Sequence, residues 1–174
     1  MIQGSKTTQR ALEARDIETL RQWRNHPELF GLHFSPLPAS DIEQRRWYEN
    51  YANSGTHVFI VVNEEKRPIG YTILKDVDHK NAHAEIGIHL APEAQGKGYG
   101  RDAFAGLISF CFEELNLQRV WLRVFDFNQR AIALYAKMGF AHEGRLRSAY
   151  FTQGHYVDIV VMGLLREEWK PASS

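Results

Sequence analysis

Apolar and polar positions alternate with the period of a strand from His83 to Leu90. Ala84, Ile86, Ile88 and Leu90 fall on one side, and His83, Glu85, Gly87 and His89 on the other. Val58 to Asn63 and Ile69 to Asp76 read as two earlier strands joined by the turn Glu64 to Pro68. Asp78 to Asn81 turns again, so an antiparallel meander is expected. Helical spacing follows residue 98, where Phe104, Leu107, Ile108, Cys111 and Leu115 share a face. Arg119 to Phe125 is then a strand. Gln129 to Met138 is a helix capped by Asn128 and stopped at Gly139, and strands near Phe140 to Leu146 and Tyr156 to Leu165 flank Gln153-Gly154. Upstream, Asp16 and Asp41 are placed to cap helices over Ile17 to Arg24 and on to Tyr51, with an aromatic and proline-rich segment, Phe30 to Pro38, between them. The strand–helix–strand passage around residue 100 implies a right-handed crossover and parallel pairing. The expected fold class is α/β (α+β): one domain over 1–174, with a mixed, mostly antiparallel sheet and helices on both faces.

The densest local signal is Gln95-Gly96-Lys97-Gly98-Tyr99-Gly100-Arg101, between the third meander strand and the helix. Three glycines at alternate positions clear side chains from one side of the loop. Bare N–H groups at a helix N-terminus suit a phosphate, and Arg101 adds a fixed cation. By its residues alone the loop is a pyrophosphate cradle or a glycine-rich turn. It contains neither GxxxxGK[ST] nor GxGxxG, which sets it apart from NTPase P-loops and from the Rossmann fingerprint.

Bulk properties narrow the class. The 21 basic and 21 acidic side chains cancel, which argues against a nucleic-acid partner. No run of about 18 apolar residues exists to cross a membrane. The first residues lack a signal-peptide core and there is one cysteine, so a cytoplasmic protein without an internal disulfide is expected. Cys111 lies on the apolar helix face and reads as core. His79, His83 and His89 cluster in sequence, but no cysteine or close second carboxylate completes a ligand set, so no metal is expected.

Gln95, Gly98 and Gly100 match the (Q/R)xxGx(G/A) signature, and Asn128 to Phe140 (NQRAIALYAKMGF) matches N-x-x-A-x-x-L-Y-x-K-x-G-F. In this order, the two motifs resemble the Gcn5-related N-acetyltransferases. Trp23-Arg24-Asn25, Glu143-Gly144 and Gly154 to Met162 are similar to the branch of ribosomal-protein N-terminal acetyltransferases and spermidine N-acetyltransferases. The resemblance covers residues 8 to 166 and is weak between Gly31 and Thr56.

That resemblance implies acetyl-CoA as co-substrate, held where the strand before the loop splays from the strand after the crossover helix. It implies that amides of Gln95, Gly96, Lys97, Gly98, Gly100 and Arg101 bind the pyrophosphate. Backbone of Ile88 and Leu90 would pair with the pantetheine arm, which Asn128 also contacts. Tyr135 becomes the acid at the departing sulfur, although the residues alone favour a buried helix tyrosine facing the sheet. Glu85 is the candidate base, with His83 and His89 as alternatives on its strand face. Phe34, Trp47 and Tyr150 are candidate walls of the acceptor site, which would take a primary amine of a small molecule (a polyamine or amino sugar) or of a peptide N-terminus. Direct attack in a ternary complex is expected, and a homodimer fits the apolar final strands. The alternative is a non-catalytic acyl-CoA-binding module on the same fold.

Overall fold

The computed structural model describes residues 1–35 and 37–170. Pro36 of the expected aromatic and proline-rich segment, and residues 171–174 of the expected domain, lie outside the described residues. Two short strands open the chain, β1 (Ile2–Gln3) and β2 (Thr8–Ala11). Helices α1 (Ile17–Asn25), α2 (Pro27–Phe30) and α3 (Asp41–Tyr51) follow. The meander is β3 (His57–Val62), β4 (Pro68–Asp78) and β5 (His83–Leu90). Helix α4 (Tyr99–Glu113) crosses to β6 (Arg119–Phe125), and α5 (Gln129–Lys137) leads to β7 (Ala141–Thr152) and β8 (His155–Leu165). The strands form one sheet in the order β1-β2-β3-β4-β5-β6-β8-β7. Every neighbouring pair is antiparallel except β5 and β6.

The period-2 strands bury their apolar side as expected. Leu74, Ala84, Ile86, Val120, Leu122 and Val124 meet Phe104, Leu107, Ile108 and Cys111 of α4, Tyr135 of α5 and Met138 at its C-terminal cap. Val58, Ile60 and Val62 pack with Leu20, Trp23 and Leu29 of α1 and α2, and Tyr48 and Tyr51 of α3 join them. Cys111 is fully buried and burial pushes its thiol up to about 12, which leaves it un-ionised and inert as a nucleophile at neutral pH.

Some local expectations are corrected. Asp16 does not cap α1 with its side chain; its oxygens take Arg10 Nη1 and Nη2 at 2.7 Å each. Ser40, not Asp41, caps α3, in a reciprocal box with Glu43. Strands β1 and β2 escape a periodicity reading because they are short and bury a polar residue. Gln9 is fully buried, donating to the Ala103 carbonyl at 2.8 Å and accepting from Thr72 Oγ1. Strand β7 runs six residues past Leu146, and its register shifts twice against β8.

One contact fixes the start of α4. Asp102, in its first turn, accepts from Ser5 N (2.8 Å), Ser5 Oγ (2.6 Å), Lys6 N (3.1 Å) and Thr7 Oγ1 (2.6 Å). The β1–β2 turn is thereby tied to the loop that precedes the helix. Burial pushes the Asp102 carboxyl up, the hydrogen bonds outweigh it, and the net position is below the usual carboxylate range. Asp102→Ala is expected to lower stability by about 1–2 kcal/mol in urea unfolding at pH 7. Because the folded pKa lies below the unfolded value near 3.9, the carboxylate's contribution is complete above that value. It disappears as pH falls through the folded pKa, so the two proteins should converge in acid.

Candidate active site

Strands β5 and β6 pair over three rungs only: His83 with Arg119, Ala84 with Val120, Glu85 with Trp121. Beyond them each strand keeps its outer neighbour. Ile86 to Leu90 stay on β4, and Leu122 to Phe125 stay on β8. The facing edges therefore diverge and present unpaired backbone groups to a gap, as a sheet edge does. A cavity of about 390 Å³ fills it. On one side it is lined by Gln95, Gly96, Gly98, Gly100, Arg101, Asn128, Arg130, Ala131, Leu134 and Tyr135, and on the other by Leu29, Leu32, Phe34, Gly87, His89, Arg123 and Phe125.

The glycine loop has the shape an anion cradle needs. Gly96 and Gly98 sit at φ +78° and +87°, a region that side chains resist, and Gly98 is the N-cap of the fifteen-residue α4. A Cβ at Gly100 would stand 3.2 Å from Leu90 Cδ1, so the loop packs directly on the end of β5. Arg130 Nη1 donates to Gln95 Oε1 at 2.9 Å, and Gln95 Nε2 to the Leu90 carbonyl at 3.3 Å. Gln95 thus braces the loop against both the strand and α5. A Cβ built on Gly98 would lie 3.6 Å from Lys6 Nζ, so the Asp102 anchor brings a further cation to the cradle. Helix terminus, Lys6, Arg101 and Arg130 together suit a pyrophosphate. Lys97 is exposed and does not line the cavity.

Tyr135 is buried, packs tilted against the rings of Phe104 and Phe140, and faces the cavity beside Leu134 and Ala131. Burial pushes its phenol up to about 12, so it keeps its proton throughout the neutral range. Asn128 caps α5, accepting from Ala131 N at 3.2 Å, and lines the cavity as well.

The other side is framed by the segment after α2. Arg24 donates to Ser35 Oγ (2.6 Å), and Asn25 exchanges two 2.8 Å hydrogen bonds with the Ala39 backbone. The expected wall residue Phe34 is held against Phe125 at 4.4 Å, with Tyr150 edge-on at 5.7 Å and the Arg123 guanidinium 5.4 Å over its ring. Below lies a stack of four rings. Trp23 and Tyr71 are 6.2 Å apart, Tyr71 and His89 4.9 Å, His89 and His33 4.4 Å. Burial pushes His33 down to about 4 and His89 down to about 3, so both imidazoles are uncharged at neutral pH.

Four expected site residues, Glu85, Trp47, Lys97 and Tyr150, stand apart from the cavity lining. Glu85 is 5% exposed and is held by Arg123 Nε and Nη2, each at 3.1 Å, and by Lys75 Nζ at 3.2 Å. Trp47 lies on a separate surface groove with Glu43, Arg46 and Tyr51, Lys97 is exposed, and Tyr150 meets the site only through its ring contacts with Phe34 and Phe125. His83 faces Asp78 at 3.7 Å. Among the described residues no three His, Cys, Asp or Glu side chains come together as a metal site. No helix is long and apolar enough to cross a membrane.

Sequence reasoning missed Arg123, Arg130, Lys6 and Gly87. Gly87 offered a signal: an isolated glycine inside a strand marks a close approach. A Cβ there would meet nothing within 4 Å, so its absence leaves open space at the mouth of the splay.

The family described as acetyltransferase (GNAT) domain matches residues 7–141. A spermidine N(1)-acetyltransferase of Vibrio cholerae serotype O1 is 30% identical over 167 residues, 95% of this chain and 96% of that protein. A putative ribosomal N-acetyltransferase of Bacillus subtilis strain 168 is 32% identical over 172 residues, covering 94% and 93%. The crystal structure of spermidine N-acetyltransferase from Vibrio cholerae in complex with CoA and spermine is similar with a TM-score of 0.87 at 30% identity, over 94% of this chain and 98% of that one. The chain belongs to the GNAT acetyltransferase family and is an N-acetyltransferase.

Gly98→Ala tests the cradle. Alanine at φ +87° costs roughly 1–2 kcal/mol in backbone strain. Calorimetry should show CoA affinity falling about tenfold, whereas unchanged affinity contradicts a loop that holds the nucleotide.

Proposed function

We propose that this protein moves the acetyl group of acetyl-CoA to the primary amine of a small molecule or peptide by direct attack, and that the observation carrying this reading is the divergence of β5 from β6. The free edge of Ile86 to Leu90 faces a cavity with an anion cradle at one end and an apolar, arginine-bearing half at the other. A pantetheine arm lying along that edge would be taken up like an added strand. The amides of Gln95 to Arg101 receive the pyrophosphate, with Lys6, Arg101 and Arg130 supplying charge.

An unprotonated amine arriving past Gly87 forms a bond to the carbonyl carbon while a β5 amide polarises the carbonyl oxygen. The carbon–sulfur bond breaks. One proton ends on sulfur and, when the acceptor enters as ammonium, one passes to solvent. Tyr135 is the donor at the sulfur. Its raised pKa makes it a protonated hydrogen-bond donor whose partner is the thiolate as charge develops. Glu85 acts through Arg123, which it orients from beneath, and burial leaves His89 too weak a base, so deprotonation of the acceptor falls to water.

The relatives that acetylate spermidine support a small amine as acceptor. Exposed Leu146, Phe151 and Tyr156 on β7 and β8 support pairing into a homodimer. The fully buried lone thiol of Cys111 suits a cytoplasmic protein.

Two variants separate the halves of the cavity. Tyr135→Phe should reduce kcat about 10²-fold with little change in the acetyl-CoA dissociation constant, read by thiol release and calorimetry; a parental kcat removes the acid role. Gly87→Val places a β-branched side chain in the open space. It should leave acetyl-CoA binding within about threefold while amine turnover falls at least tenfold. Loss of coenzyme binding instead would mean that Gly87 serves the nucleotide side.

A further inference from the structure

The acceptor half carries a charge pattern that acetyl transfer as such does not require. Among the described residues lining the cavity there is no Asp or Glu, and Arg123 is the ionised group on the acceptor side. Nearby acids are engaged elsewhere. Asp126 and Asp158 both meet Arg145, Asp41 meets Arg45, and Glu43 closes the Ser40 cap. Glu28 and Glu49 are exposed and line nothing in the cavity. Glu85 lies between Lys75 and Arg123, two cations to one carboxylate, so that cluster keeps one positive charge. Arg24 adds a second guanidinium behind the stacked histidines.

Arg123 is also presented for use. Its Nε and Nη2 are committed to Glu85, and Nη1 has no partner among the described residues. Its plane is steadied over Phe34. Leu29, Leu32, Phe34 and Phe125 supply apolar walls around it. An ammonium chain entering here would lose its water beside like charge and find no carboxylate in return. A carboxylate would gain a charge-assisted hydrogen bond from a pre-aimed guanidinium.

We propose that the preferred acceptor is an amine whose own molecule carries a carboxylate and an apolar body, an apolar amino acid or a short peptide of one, with Arg123 as the specificity-determining residue that receives the carboxylate. This rests on the reading of the cavity as an acetyl-transfer site. The same positive field favours the uncharged form of the incoming amine, which lessens the need for a dedicated base.

The test measures thiol release from acetyl-CoA with leucine, leucinamide, leucylleucine and spermidine as acceptors. Leucine or leucylleucine should exceed leucinamide by about tenfold in kcat/KM, the worth of one charged hydrogen bond, and spermidine should trail both. Which of the two acids leads tells the free amino acid from the peptide. Arg123→Gln should collapse the acid-to-amide ratio towards one, mainly through KM. Should that variant misfold because Glu85 is left unpaired, the Glu85→Gln, Arg123→Gln pair keeps a neutral hydrogen-bonded couple and should collapse the ratio equally.

Equal rates for acid and amide, spermidine as the best acceptor, or a ratio that survives the folded variants would each overturn the proposal while leaving acetyl transfer intact. Absence of acetyl-CoA binding, or binding without transfer to any of the four amines, would instead overturn the underlying transfer reading and this proposal with it.

Discussion

The site exists because two parallel strands stop pairing. Each of β5 and β6 is tied to an antiparallel neighbour along its full length, so neither can follow the other past Glu85 and Trp121. The last shared rung is reinforced by the Arg123 guanidinium reaching back to the Glu85 carboxylate. That ion pair sits at the vertex of the opening. It closes the sheet on one side of the vertex and leaves backbone donors and acceptors unsatisfied on the other. Buried peptide groups do not stay unpaired without cost, so the gap is a standing demand for a strand-like ligand.

The two ends of the gap are built by different physics. At the end proposed for the nucleotide the geometry is backbone geometry: left-handed glycines, a long helix pointing its amides outward, and Gln95 bracing loop to strand. In the proposed cradle, charge comes from side chains of three separate segments, Lys6, Arg101 and Arg130, so no single residue carries it. At the acceptor end the geometry is side-chain geometry. Phe34 is fixed by three neighbours, and Arg24 and Asn25 fasten the segment that carries it. The first end can be shared by any protein that binds the same coenzyme. The second is where this chain can differ from its relatives.

The halves of the site were unequally legible in the sequence for the same reason. The order of elements from β3 to α5, the parallel crossover and the glycine loop followed from period, glycine spacing and Asn128, because local rules govern them. Tyr135, marked by motif, and Phe34, marked by its place in the aromatic segment, both line the cavity. Glu85 was read as a free carboxylate because alternation says which face a residue takes and nothing about the arginine waiting across the strand. Trp47 was grouped with Phe34 for its aromaticity, although α3 turns it to another surface. Ser40 lost to Asp41 as a cap by one residue, the usual uncertainty at a helix boundary. Strands β1 and β2 were invisible because Gln9, a polar residue, fills a core position by satisfying its amide on Ala103 and Thr72.

The ring stack behind the acceptor wall has a consequence for acid lability. His33 and His89 remain unprotonated in the native protein until about pH 4 and 3, while in the unfolded chain they take up protons near 6.5. Native stability is therefore undiminished above that value and erodes as the medium is acidified through it, by about 1.4 kcal/mol per pH unit for each imidazole until the native value is reached. Once charged, two imidazolium rings 4.4 Å apart would repel across a dry interface. The ring stack behind this side of the cavity is thus a part of the molecule that mild acid should loosen.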